Sequence, residues 1–328
     1  MRRRLRQLKR LGETFVAYQQ RQTRGLKPPF RLWIELTNVC NLKCVMCPTG
    51  LGLVKPPGFM KFELFRQIVD EGRDYIYDVN LHHRGESLLH PHLGPMIRYA
   101  SASGLRTNLH TNATLLTEEI AEVILESGLD LLSFSVDGYE AETYERIRRR
   151  GDFEQTVHNI ISFLELKKKR GCARPFTVLE ALKFPGEEHE GRVRREFRRR
   201  FVGLPLNGFV EREVHNCAGD VPFGRRAGSE APKRFAPCTF PWYSLTILWE
   251  GTVVPCPQDF RARYPLGNLQ EARLLEIWDG EELCSLRARL VHREVDQLEA
   301  CVGCDRLRRR TLLGLPTTGW RSFLRENL

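Results

Sequence analysis

No stretch of about eighteen consecutive apolar residues occurs in the 328-residue chain, so no transmembrane helix is expected. The first residues are rich in arginine but lack the apolar core and small-residue cleavage site of a secretory signal. Internal repeats and low-complexity blocks are missing as well. The composition is 41% hydrophobic and 28% charged, with 26 glycines and 18 prolines, which excludes disordered, collagen-like and coiled-coil classes. What remains is a large globular domain with a small one beside it, expected in the cytoplasm.

Acidic residues are scarce at both ends. Residues 1–31 hold ten Lys or Arg against Glu13 alone, and residues 306–328 hold six Arg against Glu326 alone. The overall charge of +10 therefore leaves −4 for residues 32–305. A nucleic-acid-binding protein spreads its basic groups over a folded face, so no nucleic-acid partner is expected. Residues 2–20 pattern as a basic amphipathic helix, with Leu5, Leu8, Leu11, Phe15 and Tyr18 on one side. Such a helix packs on the body or touches an anionic membrane surface peripherally.

From residue 32 the pattern alternates. Strands are expected at 32–37, 78–83, 105–111, 130–136, 176–182 and 208–214, with helices near 61–75, 92–103, 117–127, 153–170 and 190–202. Alternating β and α elements imply a parallel sheet covered by helices. Six such strands suit an α/β fold built as an open, partial (β/α)6 TIM-like barrel, whose chemistry sits on loops at the carboxyl ends of strands. Residues 215–237, rich in Gly, Pro and Ala, read as a linker. A hairpin over 244–249 and 252–256 and a helix near 273–291 then form a small C-terminal α+β domain over 238–305. The expected divisions are 1–31, 32–214, 215–237, 238–305 and 306–328.

Ten cysteines are too clustered for a disulfide scaffold, and seven of them are patterned. Cys40, Cys44 and Cys47 follow the first strand. Three thiolates this close can hold three corners of a four-iron cluster and leave one iron open; a structural zinc site would want a fourth ligand. Cys238 is followed after twelve residues by Gly251, after four more by Cys256, and after forty-four more by Cys301-Val-Gly-Cys304. Four thiolates suit either an iron–sulfur cluster or zinc. Cys284 reads as a core residue and Cys172 as having no role. Cys217 is either a bystander or a thiol facing the cavity. One of His82 and His83 should face the cavity by strand alternation.

With its three cysteines in the first strand–helix loop, the chain resembles radical S-adenosylmethionine (SAM) enzymes over residues 32 to about 305. Arg84-Gly85-Glu86 resembles their Gly-Gly-Glu, with Arg84 in place of the first glycine. The resemblance places Gly85 and Glu86 at the SAM amino group. Thr111-Asn112-Ala113 resembles a Thr-Asn-Gly turn at the cofactor. Ser135-Val-Asp137-Gly138 resembles the segment that meets the SAM ribose and carboxylate, with Arg148 near that carboxylate. The second cysteine group, with Leu266-Gly267-Asn268 and Glu276-Ile277-Trp278, resembles the SPASM and shorter Twitch auxiliary-cluster modules. The implied cofactors are a SAM-binding 4Fe-4S cluster, an auxiliary 4Fe-4S cluster and SAM.

The resemblance implies reductive SAM cleavage to methionine and a 5′-deoxyadenosyl radical, which takes a hydrogen atom from a substrate in the barrel. A flavodoxin or ferredoxin would supply the electron. The expected substrate is small and polar, sugar- or aminocyclitol-like, oxidised with the auxiliary cluster as electron acceptor. Two alternatives stand: a peptide- or protein-modifying maturase, and a non-catalytic metal-binding protein with basic tails. With so short a stretch ahead of residue 32, no separate leader-peptide-binding domain is expected there, which weakens the maturase reading without excluding it.

Overall fold

Alternation along the strands gives each one an apolar face and a polar face. Leu32, Ile34 and Leu36, then Val79 and Leu81, Leu109, Leu132 and Phe134, and Leu179 are all buried in one continuous core. The computed structural model describes residues 2–184, 191–223 and 235–308, with two short strands at Thr311–Leu312 and Leu315–Pro316. In chain order, β1 (Arg31–Ile34), β2 (Asp78–Asn80), β3 (Arg106–Thr111), β4 (Leu131–Ser135), β5 (Phe176–Lys183) and β6 (Gly208–Glu213) pair side by side, all parallel.

The helices between them are α2 (Phe62–Gly72), α3 (Leu93–Ala102), α4 (Glu118–Glu126), α5 (Ala141–Ile147), α6 (Phe153–Lys169) and α7 (Gly191–Arg199). Thr117 and Asp152 cap α4 and α6 by accepting the Ile120 and Gln155 amides, which fixes where those helices begin. The sequence pattern passes over α5, whose seven residues mix charges and apolar groups without a clear period.

The sheet does not stop at β1. The expected C-terminal hairpin, β7 (Ser244–Ile247) and β8 (Thr252–Val254), joins it: β7 lies parallel to β1, and β9 (Gly267–Asn268) pairs with β8. One nine-stranded sheet results, ordered β6-β5-β4-β3-β2-β1-β7-β8-β9, so it is a partial barrel and not a closed one. Pairing between strands two hundred residues apart leaves no local signature, which is why the sequence shows the hairpin but not its attachment. The chain completes the module with α8 (Leu274–Asp279), α9 (Glu281–His292) and α10 (Glu299–Val302).

Residues 216–221, inside the expected linker, are structured. Asn216 exchanges hydrogen bonds with Asp305 and donates to the Gly303 carbonyl, and Cys217 and Ala218 are buried. Residues 224–234 of that stretch, and most of the basic tail beyond 308, lie outside the described residues.

The N-terminal helix α1 (Arg2–Gln19) packs on the module; the side chains of residues 2–6, Leu5 among them, lie outside the described residues. Tyr18 meets the Trp242 ring edge-on at 5.4 Å and donates to the Pro237 carbonyl at 2.8 Å, while Trp242 donates to the Gln22 carbonyl. Leu8, expected on the packed side, is instead half exposed, because the buried stripe runs through Gln7 and Tyr18. Tyr18→Ala should therefore cost about 3 kcal/mol of stability, read by chemical denaturation. A loss below about 1 kcal/mol would show that the helix is not anchored there.

Candidate active site

The loop after β1 carries Cys40, Cys44 and Cys47 and is tied down along its length. The Lys43 amide donates to Arg149 O at 2.9 Å and the Val45 amide to Ile147 O at 3.0 Å, at and just past the end of α5. Asn41 donates to the Thr114 hydroxyl at 2.8 Å and accepts from the Asn112 side chain at 3.0 Å. Gly50 closes over the loop so tightly that a Cβ there would lie 2.4 Å from Cys44 O. Leu42, Met46, Ile147, Phe184 and Val214 pack beside it.

These thiols sense one another. Burial, chiefly, pushes Cys40 to about 11 and Cys44 to about 12; Cys47 adds to both, and Arg148 opposes the rise. Buried thiols in this state become thiolates only when a cation takes them. A metal cluster fits that demand.

The other expected residues converge on the same loop. A Cβ on Gly85 would lie 2.3 Å from Thr37 O and 2.6 Å from Val39 O, so only glycine lets the turn after β2 reach the cysteine loop. The Glu86 amide donates to Val39 O at 2.9 Å. Its buried carboxylate accepts from Leu88 N and the Thr111 hydroxyl on Oε1 and from Asn112 N on Oε2. Thr111 and Asn112 thus orient Glu86 and Asn41, while one acceptor site remains on Oε2. Asp137 has both oxygens engaged: Oδ1 accepts from Leu182 N at 2.8 Å, and Oδ2 pairs with Arg148 Nη2 at 2.6 Å. Ser135 is half-buried at the end of β4, in register with Glu180.

Burial works against the Arg148 cation, but Asp137 and then Cys44 more than offset this, and its pKa lies above the usual value. Its buried Nε has no partner in the structure. A donor in that position suits an anionic group.

Arg84 does not reach into this site. Its guanidinium grips Glu35 at 2.5 and 2.6 Å and donates to Phe260 O at 2.9 Å, and Glu35 also accepts from Trp249 N. Burial alone would raise Glu35, but Arg84 and His83 hold it down to about 2. The pair locks the barrel to the C-terminal module.

In that module Cys238, Cys256, Cys301 and Cys304 form a second group. Burial, then the other three thiols, raises Cys256 well above the ordinary value. Cys301 and Cys304 are raised by burial and by the neighbouring thiols as well, so the four sulfurs lie within reach of one another. Four thiolates of this kind fit a fully ligated four-iron cluster.

Strand alternation singled out His82 and His83; it did not single out His110, Glu180 or Arg212 on the inner face. His82 stacks on His110 with ring centroids 4.1 Å apart, and Arg212 donates to Glu180 at 2.9 Å. His83 points the other way, toward Glu35 and Pro257. Desolvation, then His110 and His83, keep His82 neutral. A polar residue at every second strand position was the available signal for this face.

Comparison with known proteins agrees with this geometry. Residues 34–194 match the Radical SAM superfamily, and residues 238–305 match SPASM, an iron–sulfur cluster-binding domain. The tungsten-containing aldehyde ferredoxin oxidoreductase cofactor-modifying protein of Pyrococcus furiosus is 33% identical over 297 residues, 76% of this chain and 81% of that protein. The AdoMet-dependent heme synthase of Methanosarcina barkeri is 37% identical over 127 residues, 38% of this chain and 36% of that protein. Mycofactocin maturase MftC of Mycobacterium tuberculosis is 33% identical over 135 residues, 41% of this chain and 34% of that protein. These last two matches span about a third of each relative. Among solved structures, BtrN in complex with AdoMet and 2-DOIA superposes with a TM-score of 0.57 at 18% identity, covering 85% of this chain and 94% of BtrN. Streptococcus suis SuiB bound to precursor peptide SuiA gives 0.64 at 14%, covering 83% and 69%. Both share the fold.

Arg84→Met should cost about 3–5 kcal/mol, because it strands the buried Glu35 charge. Wild-type Glu35 contributes above its unfolded value of 4.5 and loses that contribution as pH falls toward about 2. The deficit should therefore be full at neutral pH and shrink across that window, measured by denaturation at several pH values. An equal deficit at every pH would remove the ion pair as its cause.

Proposed function

The chain belongs to the radical SAM superfamily and carries a C-terminal SPASM iron–sulfur cluster-binding domain, and we propose that it is a maturase acting on a peptide or protein-bound precursor. The observation that carries this reading is the unclosed sheet. Among the described residues β6 and β9 remain edges, and every residue of β6 is at least partly exposed, which would let an extended chain reach the polar inner face from the side. The likeness to a cofactor-modifying protein and a maturase supports it, as does the shared fold with a peptide-bound enzyme.

Cys40, Cys44 and Cys47 would hold a four-iron cluster that, with SAM, supplies a hydrogen-abstracting radical. The free acceptor site on Glu86 Oε2 suits an ammonium, and Arg148 Nε suits a carboxylate. Ser135 can hydrogen-bond a hydroxyl. Asp137 acts through Arg148, holding it beside the loop while its other oxygen ties β4 to β5. Cys238, Cys256, Cys301 and Cys304 would ligate the second cluster fully.

A second reading, oxidation of a small sugar- or aminocyclitol-like molecule with the second cluster accepting an electron, is favoured by the inner face itself. Asn80, Asn108, His82, His110 and Ser133 make it polar at successive strand positions.

Reconstituted protein should hold about eight irons and form 5′-deoxyadenosine from SAM under reducing conditions, while the Cys40/Cys44/Cys47→Ala variant should hold half and form none. Glu86→Gln should weaken SAM binding about tenfold, the effect of one charge-assisted hydrogen bond. Substrate class is read from extracts of the source organism grown in deuterated medium. Deuterium should enter 5′-deoxyadenosine from the peptide fraction; transfer from the small-molecule fraction alone would establish the second reading.

A further inference from the structure

The segments that meet at the three-cysteine loop are basic and carry no acid. Residues 36–62 contain Lys43, Lys55 and Lys61 and no Asp or Glu; residues 146–151 contain Arg146, Arg148, Arg149 and Arg150 and no acid. The structure sets them side by side through the bonds from Lys43 and Val45 to Arg149 and Ile147. Arg148 is buried, but Lys55, Lys61, Arg149 and Arg150 are exposed. Among the described residues none of Lys43, Lys55, Lys61, Arg149 and Arg150 is held in an ion pair. Glu145, just ahead of the second segment, accepts from the Phe153 amide. Between these cations lie three of the chain's exposed large apolar side chains, Leu51 (45%), Leu53 (42%) and Phe59 (42%). The same stretch is pinned by Asn38, which donates to Pro56 O and accepts from Gly58 N, and by Gly50 against Cys44 O.

We propose that this basic, apolar-centred face over the cysteine loop is the landing surface for a small acidic electron-carrier protein. The inference rests on the reading above, under which one electron must arrive at this loop for each SAM cleaved. A reduced flavin- or iron–sulfur-containing carrier loses that electron, the loop's site gains it, and no bond forms or breaks between the proteins. Redox encounters are small and transient, so unpaired cations that steer an anion, around a few apolar contacts, are the fitting design. Residues 32–305 carry a net charge of −4, so the overall charge of the body does not supply the attraction.

The test uses the cluster-loaded full chain, with an acidic flavodoxin as probe and photoreduced deazariboflavin as a neutral comparison. Binding of oxidised flavodoxin is measured by calorimetry and reduction by stopped-flow absorbance. Wild type should bind and be reduced at least tenfold less well at 300 mM than at 20 mM salt. Lys55→Glu/Arg149→Glu/Arg150→Glu should lose at least tenfold in both readouts at low salt, with an unchanged deazariboflavin rate. Phe59→Ser, remote in sequence from Arg149, should weaken binding severalfold with little change in salt dependence. Arg195→Glu/Arg199→Glu, on the exposed basic face of α7, should leave flavodoxin binding as it is. Equal loss in the α7 variant would assign the effect to net charge and overturn the proposal, as would wild-type flavodoxin binding in both the triple and the Phe59 variants. SAM cleavage driven by deazariboflavin tests the proposed function separately, without any carrier protein.

Discussion

Three thiols can serve one cluster only if a loop without regular structure is held still, and the buried Arg148–Asp137 pair is what the mouth of the barrel depends on. Asp137 follows β4 and ties it to β5 through Leu182; Arg148 caps α5, and the carbonyls on either side of it fix the cysteine loop. One ion pair therefore joins two strands, a helix end and the thiols. Buried pairs are poor sources of stability but demanding about geometry. Here the geometry is the point, because Arg148 brings positive charge to Cys44 while keeping a donor unused.

Glu35 plays the corresponding part on the other side. It lies past β1, the strand shared by barrel and module, and accepts from Arg84 and from Trp249 of the module. Arg84, which stands where the resemblance expects a glycine, thus serves as a joint between barrel and module. Since β7 continues the barrel sheet, barrel and module share one hydrogen-bonded sheet.

Much of this was legible beforehand. Six strands, five of the helices and the order of the motifs follow from alternation and from Cys40, Cys44 and Cys47. What was hidden is non-local. The β1–β7 pairing, the burial of Cys217 inside an apparent linker and the Glu35–Arg84 joint each link residues far apart in the chain, where no local propensity acts. α5 was missed because seven residues carry too little periodicity. The family resemblance puts Glu86 and Asp137 at the cofactor; the hydrogen bonds of Glu86 add the orienting of the turn, and the ion pair of Asp137 adds the holding of Arg148.

The central claim is that one cysteine group leaves an iron open to SAM and the other does not. Electron paramagnetic resonance of the reduced, reconstituted protein with and without SAM tests it directly. The account predicts two four-iron signals, of which SAM shifts only the one lost in the Cys40/Cys44/Cys47→Ala variant. A SAM-induced shift of the signal that survives in that variant, or zinc in place of iron at Cys238, Cys256, Cys301 and Cys304, would contradict it.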